Sequence, residues 1–461
     1  MSTAGEQASE AEAAASVEGD RASGRSARRA LSLSLRTTFL GQFLMAVSGV
    51  MLARALGQED RGEIAAAMLW PTVIAGIGTL GLTESLTFHI AREPQSAGRY
   101  IGSGLALASI QAVVFTALTM ALIPIVLSGH ESDVITDGLI YSAYLPLITF
   151  GVVFIGGLNG LHRYRAFNTV RLSIFVLMVA SQAALLLFDS STVRALVIAF
   201  VGCQAAMTFL AAFLLRRARP GRLAADRATM RQLFGYGVRS NTGTSSSFLN
   251  QRMDQLAISA FMSASQLGLY AVAVNLTQVA ALVGNAVAYA TLPNVAALDP
   301  GPERARLARR LVGFTLLLAT ALALPVILFA PLLIDILFGD EFSEAADISR
   351  LLAAGAIVFA VARAVEAILR AVGRPLAAGM GELLALAATL GGLAVMLPLF
   401  GVIGAAAVSV IARGISCAWM AHRVAPDLGT SAVRLLIPPR SIFTTLAEEL
   451  RKRLGREQAA T

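Results

Sequence analysis

Apolar positions dominate this chain in long uninterrupted runs, without the alternation of a half-buried strand or the one-sided stripe of a surface helix. The runs fall at 36–54, 63–91, 99–128, 135–160, 165–188, 194–216, 234–262, 266–298, 309–332, 346–371, 376–399 and 402–424. Most exceed the roughly 20 residues that a helix needs to cross a hydrocarbon layer about 30 Å thick. In that layer only a helix or a closed barrel satisfies its own backbone. The pattern therefore predicts an all-α, polytopic membrane protein with about twelve transmembrane helices. Residues 1–35 are rich in Ala, Glu and Ser and carry Arg21, Arg25, Arg28 and Arg29; they read as a disordered tail and not as a cleaved signal, because the apolar run after them opens a series. Residues 426–461 form a second tail. There Ile442, Phe443, Leu446, Leu450 and Leu454 recur at near-helical spacing among charges, which suggests an amphipathic helix for the membrane face or a partner.

Composition excludes an ordinary soluble enzyme: 56% of the 461 residues are hydrophobic and 14% charged, where soluble domains carry about 25% charged residues. A net charge of +8 and a pI of about 10.1 could suggest nucleic acid. The placement of the charges removes that reading. Arg92 and Arg99, Arg163 to Arg171, Arg216 to Arg231, Arg304 to Arg310, and Arg370 with Arg374 each follow an even-numbered run, and only Tyr164 and Phe167 are interleaved with them as aromatic residues. Odd-numbered connections instead carry Glu59, Asp60 and Glu63, then Glu131, Asp133 and Asp137, then Asp340, Glu341, Glu344 and Asp347. Arginine loops are retained on the cytoplasmic side, so the alternation predicts an even number of spans with both termini cytoplasmic. Cys203 and Cys417 lie far apart in apolar runs and suggest neither a disulfide nor a metal motif. Lys452 is the sole lysine, so no phosphate-binding glycine loop with its lysine exists, and no catalytic set is visible. The expectation is a protein that is not an enzyme, needs no cofactor or metal, and draws on an ion gradient, the membrane potential or consumption of its product.

Two segment pairs suggest duplication. Gly57 to Ala67 lies over Ser263 to Ala273 at an offset of 206 that matches Gly62 with Gly268, and Leu158 to Arg163 lies over Leu369 to Arg374 at an offset of 211. An offset of an even number of spans predicts parallel repeats, two six-helix bundles around a central cavity with alternating access.

The stretch from Arg36-Thr37-Thr38-Phe39-Leu40-Gly41 through Leu52-Ala53-Arg54-Ala55-Leu56-Gly57-Gln58-Glu59-Asp60-Arg61-Gly62 resembles the first helix and loop of polysaccharide-biosynthesis flippases. Those proteins belong to the multidrug/oligosaccharidyl-lipid/polysaccharide exporter superfamily. Asn250 to Leu256 with Leu267 to Ala273, and Thr291-Leu292-Pro293, resemble the start of that family's second lobe and the close of its eighth span. The resemblance covers residues 36 to 425. It implies a MATE-like fold, with an N-terminal lobe at 36–220 and a C-terminal lobe at 221–425. It further implies movement of an undecaprenyl-pyrophosphate-linked oligosaccharide from the inner to the outer leaflet of a bacterial cytoplasmic membrane. Membrane lipids, a coupling ion such as H+ or Na+, and a polysaccharide polymerase complex would be its partners. Two alternatives stay open: an ion-coupled small-molecule exporter of the same superfamily, and a lipid II flippase, which usually has a further helix pair. A membrane polymerase would need a large loop or a cytosolic catalytic domain.

Charges inside spans cost about 2.5–3.5 kcal/mol at the bilayer centre and so mark function or a partner. The seventh span is the most polar, and Asn241, Asn250, Gln251, Arg252 and Asp254 in it are candidates for the substrate. Arg252 suits a pyrophosphate, which needs a delocalised bidentate donor, while the amides suit sugar hydroxyls. Arg54 in the first span and Asn275 and Gln278 in the eighth complete the expected binding set. Glu84, read as a lone buried carboxylate, and Glu382 are the candidates for ion coupling, each of which could instead be neutralised by an arginine such as Arg54 or Arg413. Arg363 and Glu366, three residues apart, are expected to pair structurally.

Overall fold

The computed structural model describes residues 3–439; the amphipathic stretch expected at 441–454 lies outside them. Helix α1 (Thr3–Gly78) is far longer than a bilayer is thick, and it breaks at Gly57, whose φ of 74° glycine adopts without strain. It thus supplies two crossings, and the second continues past Leu80 and Gly81 into α2 (Leu82–Arg92). Next come α3 (Ala97–Val126), the broken crossing of α4 (Ser132–Tyr141) and α5 (Tyr144–Gly160), then α6 (Tyr164–Leu187) and α7 (Val193–Arg217). A second broken crossing, α8 (Arg227–Asn250) with α9 (Met253–Phe261), leads to α10 (Ala264–Ala296), α11 (Pro302–Leu337) and α12 (Ala345–Ala371). Finally α13 (Pro375–Val424) divides at Gly401 into two further crossings, and the short α14 (Ala432–Leu436) follows. With each broken pair counted once, the described residues make twelve crossings in an all-α protein. Helix backbone also runs through 3–35, where polarity suggested a disordered tail; the density of Ala and Glu there is a strong helix-forming signal.

Eight helical stretches are long and apolar enough to span on their own, and two of these, Arg36–Arg92 and Pro375–Val424, hold two crossings each. The crossing of α8 and α9 is not among them, because α8 carries Ser, Thr, Asn and Arg around most of its circumference. A helix of that composition cannot stand in lipid on all sides. It needs a wet cavity or protein on most of its faces.

The turns that end α5 and α12, which the repeat would superpose, share one hydrogen-bond pattern, a common helix-ending turn that also closes α6. Leu161, His162 and Arg163 donate their N–H groups to the carbonyls of Gly157, Asn159 and Leu158, and Val372, Gly373 and Arg374 donate to those of Ile368, Arg370 and Leu369. Every donor and acceptor matches at an offset of 211. The left-handed position is His162 in one copy (φ 55°) and Gly373 in the other (φ 82°), as helix C-termini of this kind require. A Cβ at Gly373 would meet no atom within 4 Å, so Gly373→Ala carries only a backbone cost. It is expected to destabilise the protein by about 1–2 kcal/mol, read as a lowered Tm in detergent.

The lobes meet along α1 and α10. A Cβ on Gly62 would lie 1.7 Å from the carbonyl oxygen of Ala264, and one on Gly268 would lie 2.2 Å from that of Gln58. Gln58 and Ala264 are themselves 206 apart, so the two contacts are one contact made twice. Gln58 Nε2 also donates to Ser265 Oγ at 2.5 Å. Nearby, Arg54 donates to the carbonyls of Leu337 at 2.9 Å and Ile336 at 2.5 Å, placing a cation on the C-terminus of α11. His130 Nε2 bonds the Ser259 carbonyl at 2.8 Å, at the end of α9. All these bonds cross between lobes at the ends that carry the odd-numbered connections, so the seam is shut on that face.

At the opposite face the chain between lobes is strapped to α3. Gly98 and Gly102 leave room for the Arg222 and Ala224 carbonyls, and Asp226 N donates to Ser103 Oγ at 3.0 Å. Asp226 then caps α8, accepting from Thr229 Oγ1 at 2.7 Å and Thr229 N at 2.9 Å. Those bonds hold its carboxyl below the usual carboxylate range.

Candidate functional site

A cavity of about 290 Å³ lies at mid-depth between the lobes, lined by α1, α8, α9, α10, α12 and α13. Its charged lining consists of Arg252, Asp254 and Arg413, with Gln42, Gln251, Gln255, Thr277, Gln278, Asn285 and Ser409 as neutral polar groups. Arg252 is the residue at which the seventh crossing breaks: α8 ends at Asn250, and α9 restarts from Arg252 as its N-cap. A broken helix brings unpaired backbone N–H groups and the positive end of a helix dipole to the middle of the membrane. The C-terminal end of α8 meets it there with the opposite dipole, so the cationic character of the cavity comes from its arginine side chains.

The carboxylate of Asp254 is only 4% exposed and its bonds are already made. Oδ2 accepts from Tyr270 Oη at 2.5 Å and from Ser409 Oγ at 3.0 Å, and Oδ1 accepts from Gln255 N at 2.8 Å. It ties α9 to α10 and to the last crossing of α13. The two guanidinium groups are much less committed. Arg252 Nη1 donates to Gln255 Oε1 at 3.1 Å; Arg413 rests over the Phe359 ring, 4.6 Å from its centroid, and forms no hydrogen bond or ion pair among the described residues. The lining thus holds two arginines with donors to spare against one carboxylate whose acceptors are taken. That balance suits an anion with several acceptor oxygens.

Of the substrate-binding candidates, Arg252, Asp254, Gln251 and Gln278 line this cavity. Asn250 does not: it is buried, and its Oδ1 accepts from Thr389 Oγ1 at 2.9 Å, which fastens α8 to α13. Asn241 donates to Ser245 Oγ at 2.8 Å and packs beside Gly81 on the N-terminal lobe. Asn275 stands in the lobe seam, where Gly49 leaves space for its side-chain amide. Arg54 belongs to the latch on α11, since three residues before the Gly57 turn it has reached the end of its crossing. Glu84 is exposed, not the buried carboxylate expected: helix α2 starts afresh at Leu82, and Glu84 occupies its first turn, where a negative charge suits the helix dipole. Glu382 is buried beside Ser247, with Arg363 and Arg413 as cationic neighbours.

Arg363 and Glu366 pair as expected, and Arg370 closes on the same carboxylate at 2.5 Å, with Arg363 Nε also donating to Asn285 Oδ1 at 3.2 Å. This clamp saturates its carboxylate and leaves one positive charge over. Sequence reasoning missed Tyr270 and Ser409, which lack any local signal, and treated Arg413 only as a neutralising partner. Among the described residues no group of three or more His, Cys, Asp or Glu side chains is placed to hold a metal ion.

Known proteins show the same organisation. The family model described as polysaccharide biosynthesis protein matches residues 51–347, well over half of the chain. The chain belongs to the polysaccharide biosynthesis protein family. This family assignment agrees with the solved structures that share the fold. A multidrug resistance MATE family transporter of the MOP superfamily in its inward-facing conformation superposes with a TM-score of 0.71 at 16% identity, over 85% of this chain and 96% of that one. The lipid II flippase MurJ in an inward closed conformation gives 0.72 at 13% identity, over 90% and 92%. An outward-facing MATE transporter gives 0.59 at 15% identity, over 87% and 96%. No curated protein sequence matches the chain. The chain is thus a polytopic membrane protein of this family that shares its fold with a MATE transporter and with MurJ.

Proposed function

We propose that this protein moves a polyprenyl-pyrophosphate-linked oligosaccharide from the cytoplasmic to the outer leaflet of a bacterial cytoplasmic membrane, by alternating access. The observation that carries the reading is the charge balance of the cavity, where Arg252 and Arg413 outnumber Asp254 and the latter is saturated by Tyr270, Ser409 and the backbone. An exporter of cationic compounds would need the reverse balance. Two guanidinium groups can bind the two phosphoryl groups in fork geometry, Gln251 and Gln278 can bond the adjoining sugar, and the polyprenyl tail stays in lipid.

On the expectation that arginine loops stay cytoplasmic, the even-numbered connections face the cytoplasm and the shut seam described above is periplasmic. Transport requires the cavity to reach the other side. Glu382, buried beside Ser247 and close to Arg413, is the carboxylate best placed to couple an ion to that change. Substrate charge and coupling charge would then share one arginine.

Deletion of the gene, followed by analysis of lipid-linked intermediates, tests this reading. Undecaprenyl-linked glycan is expected to accumulate on the cytoplasmic face and to clear on complementation. Unchanged intermediates together with altered tolerance to small cationic compounds would replace the flippase by the exporter.

A further inference from the structure

Helix α2 presents three exposed side chains, Glu84, Phe88 and Arg92, at successive spacings of four, on a single face. The neighbouring faces are taken. Thr83 and Thr87 bond the Val152 and Gly156 carbonyls of α5, and Ser85 bonds the Leu233 carbonyl of α8. Arg92 ends the helix at the even-numbered connection, so Glu84, eight residues back, lies about 12 Å further into the membrane at 1.5 Å per residue. An exposed carboxylate at that depth is not compatible with lipid. The free face of α2 is therefore wet.

Helix α8 shows which way that water lies. Phe88 keeps 36% of its surface exposed while its ring stacks on Tyr236, with centroids 4.6 Å apart and planes 15° from parallel, and the Arg92 guanidinium lies 5.3 Å from the Phe88 centroid. From Tyr236, the positions of Ser240, Ser247 and Gln251 fall within about 60° of one another on the helix, and Gln251 lines the cavity. The other flank of α8 exposes Phe234 and Val238, at 46% and 37%, as a lipid-facing surface does. Polar residues on this face of α8 therefore run from the aromatic pair toward the arginines, with Ser247 buried against Glu382 part-way.

We propose that Glu84, Phe88, Tyr236 and Ser240 form a carbohydrate subsite at the cytoplasmic mouth of the cavity, which holds the distal sugars of the headgroup while Arg252 and Arg413 hold its pyrophosphate. This rests on the flippase reading. The chemistry is that of sugar recognition: the exposed edge of the Phe88–Tyr236 stack offers an apolar surface to the C–H groups of a pyranose, a carboxylate accepts from paired hydroxyls, and a serine hydroxyl adds a donor and an acceptor. From Tyr236 to Asn250 the track runs about 21 Å along α8, so the subsite reads sugars well beyond the first. Arg92 braces the Phe88 ring from the loop side.

The test is binding by the full chain in nanodiscs of two probes: undecaprenyl pyrophosphate without sugar, and lipid-linked glycan extracted from cells lacking the protein. The unsubstituted protein is expected to bind the glycan-bearing probe at least tenfold more tightly. Glu84→Gln and Phe88→Leu should each remove most of that tenfold difference and leave binding of the bare pyrophosphate unchanged, which also reports an intact fold. Glycan binding at the unsubstituted level in both variants would overturn the subsite, as would equal weakening of both probes. Failure of the unsubstituted protein to bind either probe would instead strike the flippase reading itself.

Discussion

Replacing Arg413 with glutamine is expected to lower flipping of the glycan-bearing lipid in proteoliposomes by about one to two orders of magnitude, with protein insertion unaffected. A hydrogen-bonded contact to a charged group is worth about 1.5–3 kcal/mol, and each 1.4 kcal/mol is a factor of ten. The fold should tolerate the change. Arg413 holds no ion pair among the described residues, the Asp254 oxygens are already satisfied by Tyr270, Ser409 and the Gln255 amide, and the buried Glu382 keeps Arg363 as a cationic neighbour. Arg252→Gln should act in the same direction, and the double substitution, which turns the lining from net positive to net negative, should bring flipping to background. Arg413→Lys should recover only part of the activity, because an ammonium lacks the planar fork. Retained flipping in the double variant would remove the cavity from the substrate path, and enhanced export of an organic cation would identify the alternative cargo.

A second large effect is expected at the lobe seam. At Gly62 a methyl group would meet the Ala264 carbonyl at 1.7 Å and at Gly268 the Gln58 carbonyl at 2.2 Å. Both obstacles are backbone and cannot swing away, so Gly62→Ala or Gly268→Ala must push α1 and α10 apart. Overpacking of this kind costs about 1–3 kcal/mol, and the cost falls only on the state in which this seam is shut. The balance of conformations should then shift by roughly tenfold or more toward the state open on that face. Cysteines at Gln58 and Ser265, in a background without Cys203 and Cys417, measure this directly. Oxidative cross-linking should be fast in the parent and about tenfold slower with Gly62→Ala, while the cross-linked parent should cease transport and resume it on reduction. Equal cross-linking rates would show that the seam is not a moving contact.

The twelve crossings were legible because a bilayer imposes a length on every apolar run, whatever its side chains. Glycines then told where the rods divide: Gly57 and Gly401 punctuate helices that would otherwise run on. The break at Gln251 and Arg252 carried no such mark, since neither residue favours a turn; only the local crowding of polar groups hinted at it. Which faces look inward was not legible at all. Glu84 and Glu382 are both single carboxylates in apolar runs, yet one is exposed beside a helix start and the other buried among arginines. Tyr270 and Ser409 join Asp254 from positions 16 and 155 residues away, a convergence that only the folded C-terminal lobe creates. Arg54 misled because composition places an arginine in a run without saying how close to its end it stands.

The paired contacts of Gly62 with Ala264 and of Gly268 with Gln58 are reciprocal: the same two positions touch, each from the other copy. Such reciprocity is the mark of a two-fold axis, and self-complementary patches of this kind are how identical subunits form closed pairs. The seam is thus a self-complementary contact of the kind that identical subunits make, here formed within one chain. The cavity beside it breaks that symmetry, with every one of its charges contributed by the second half of the chain.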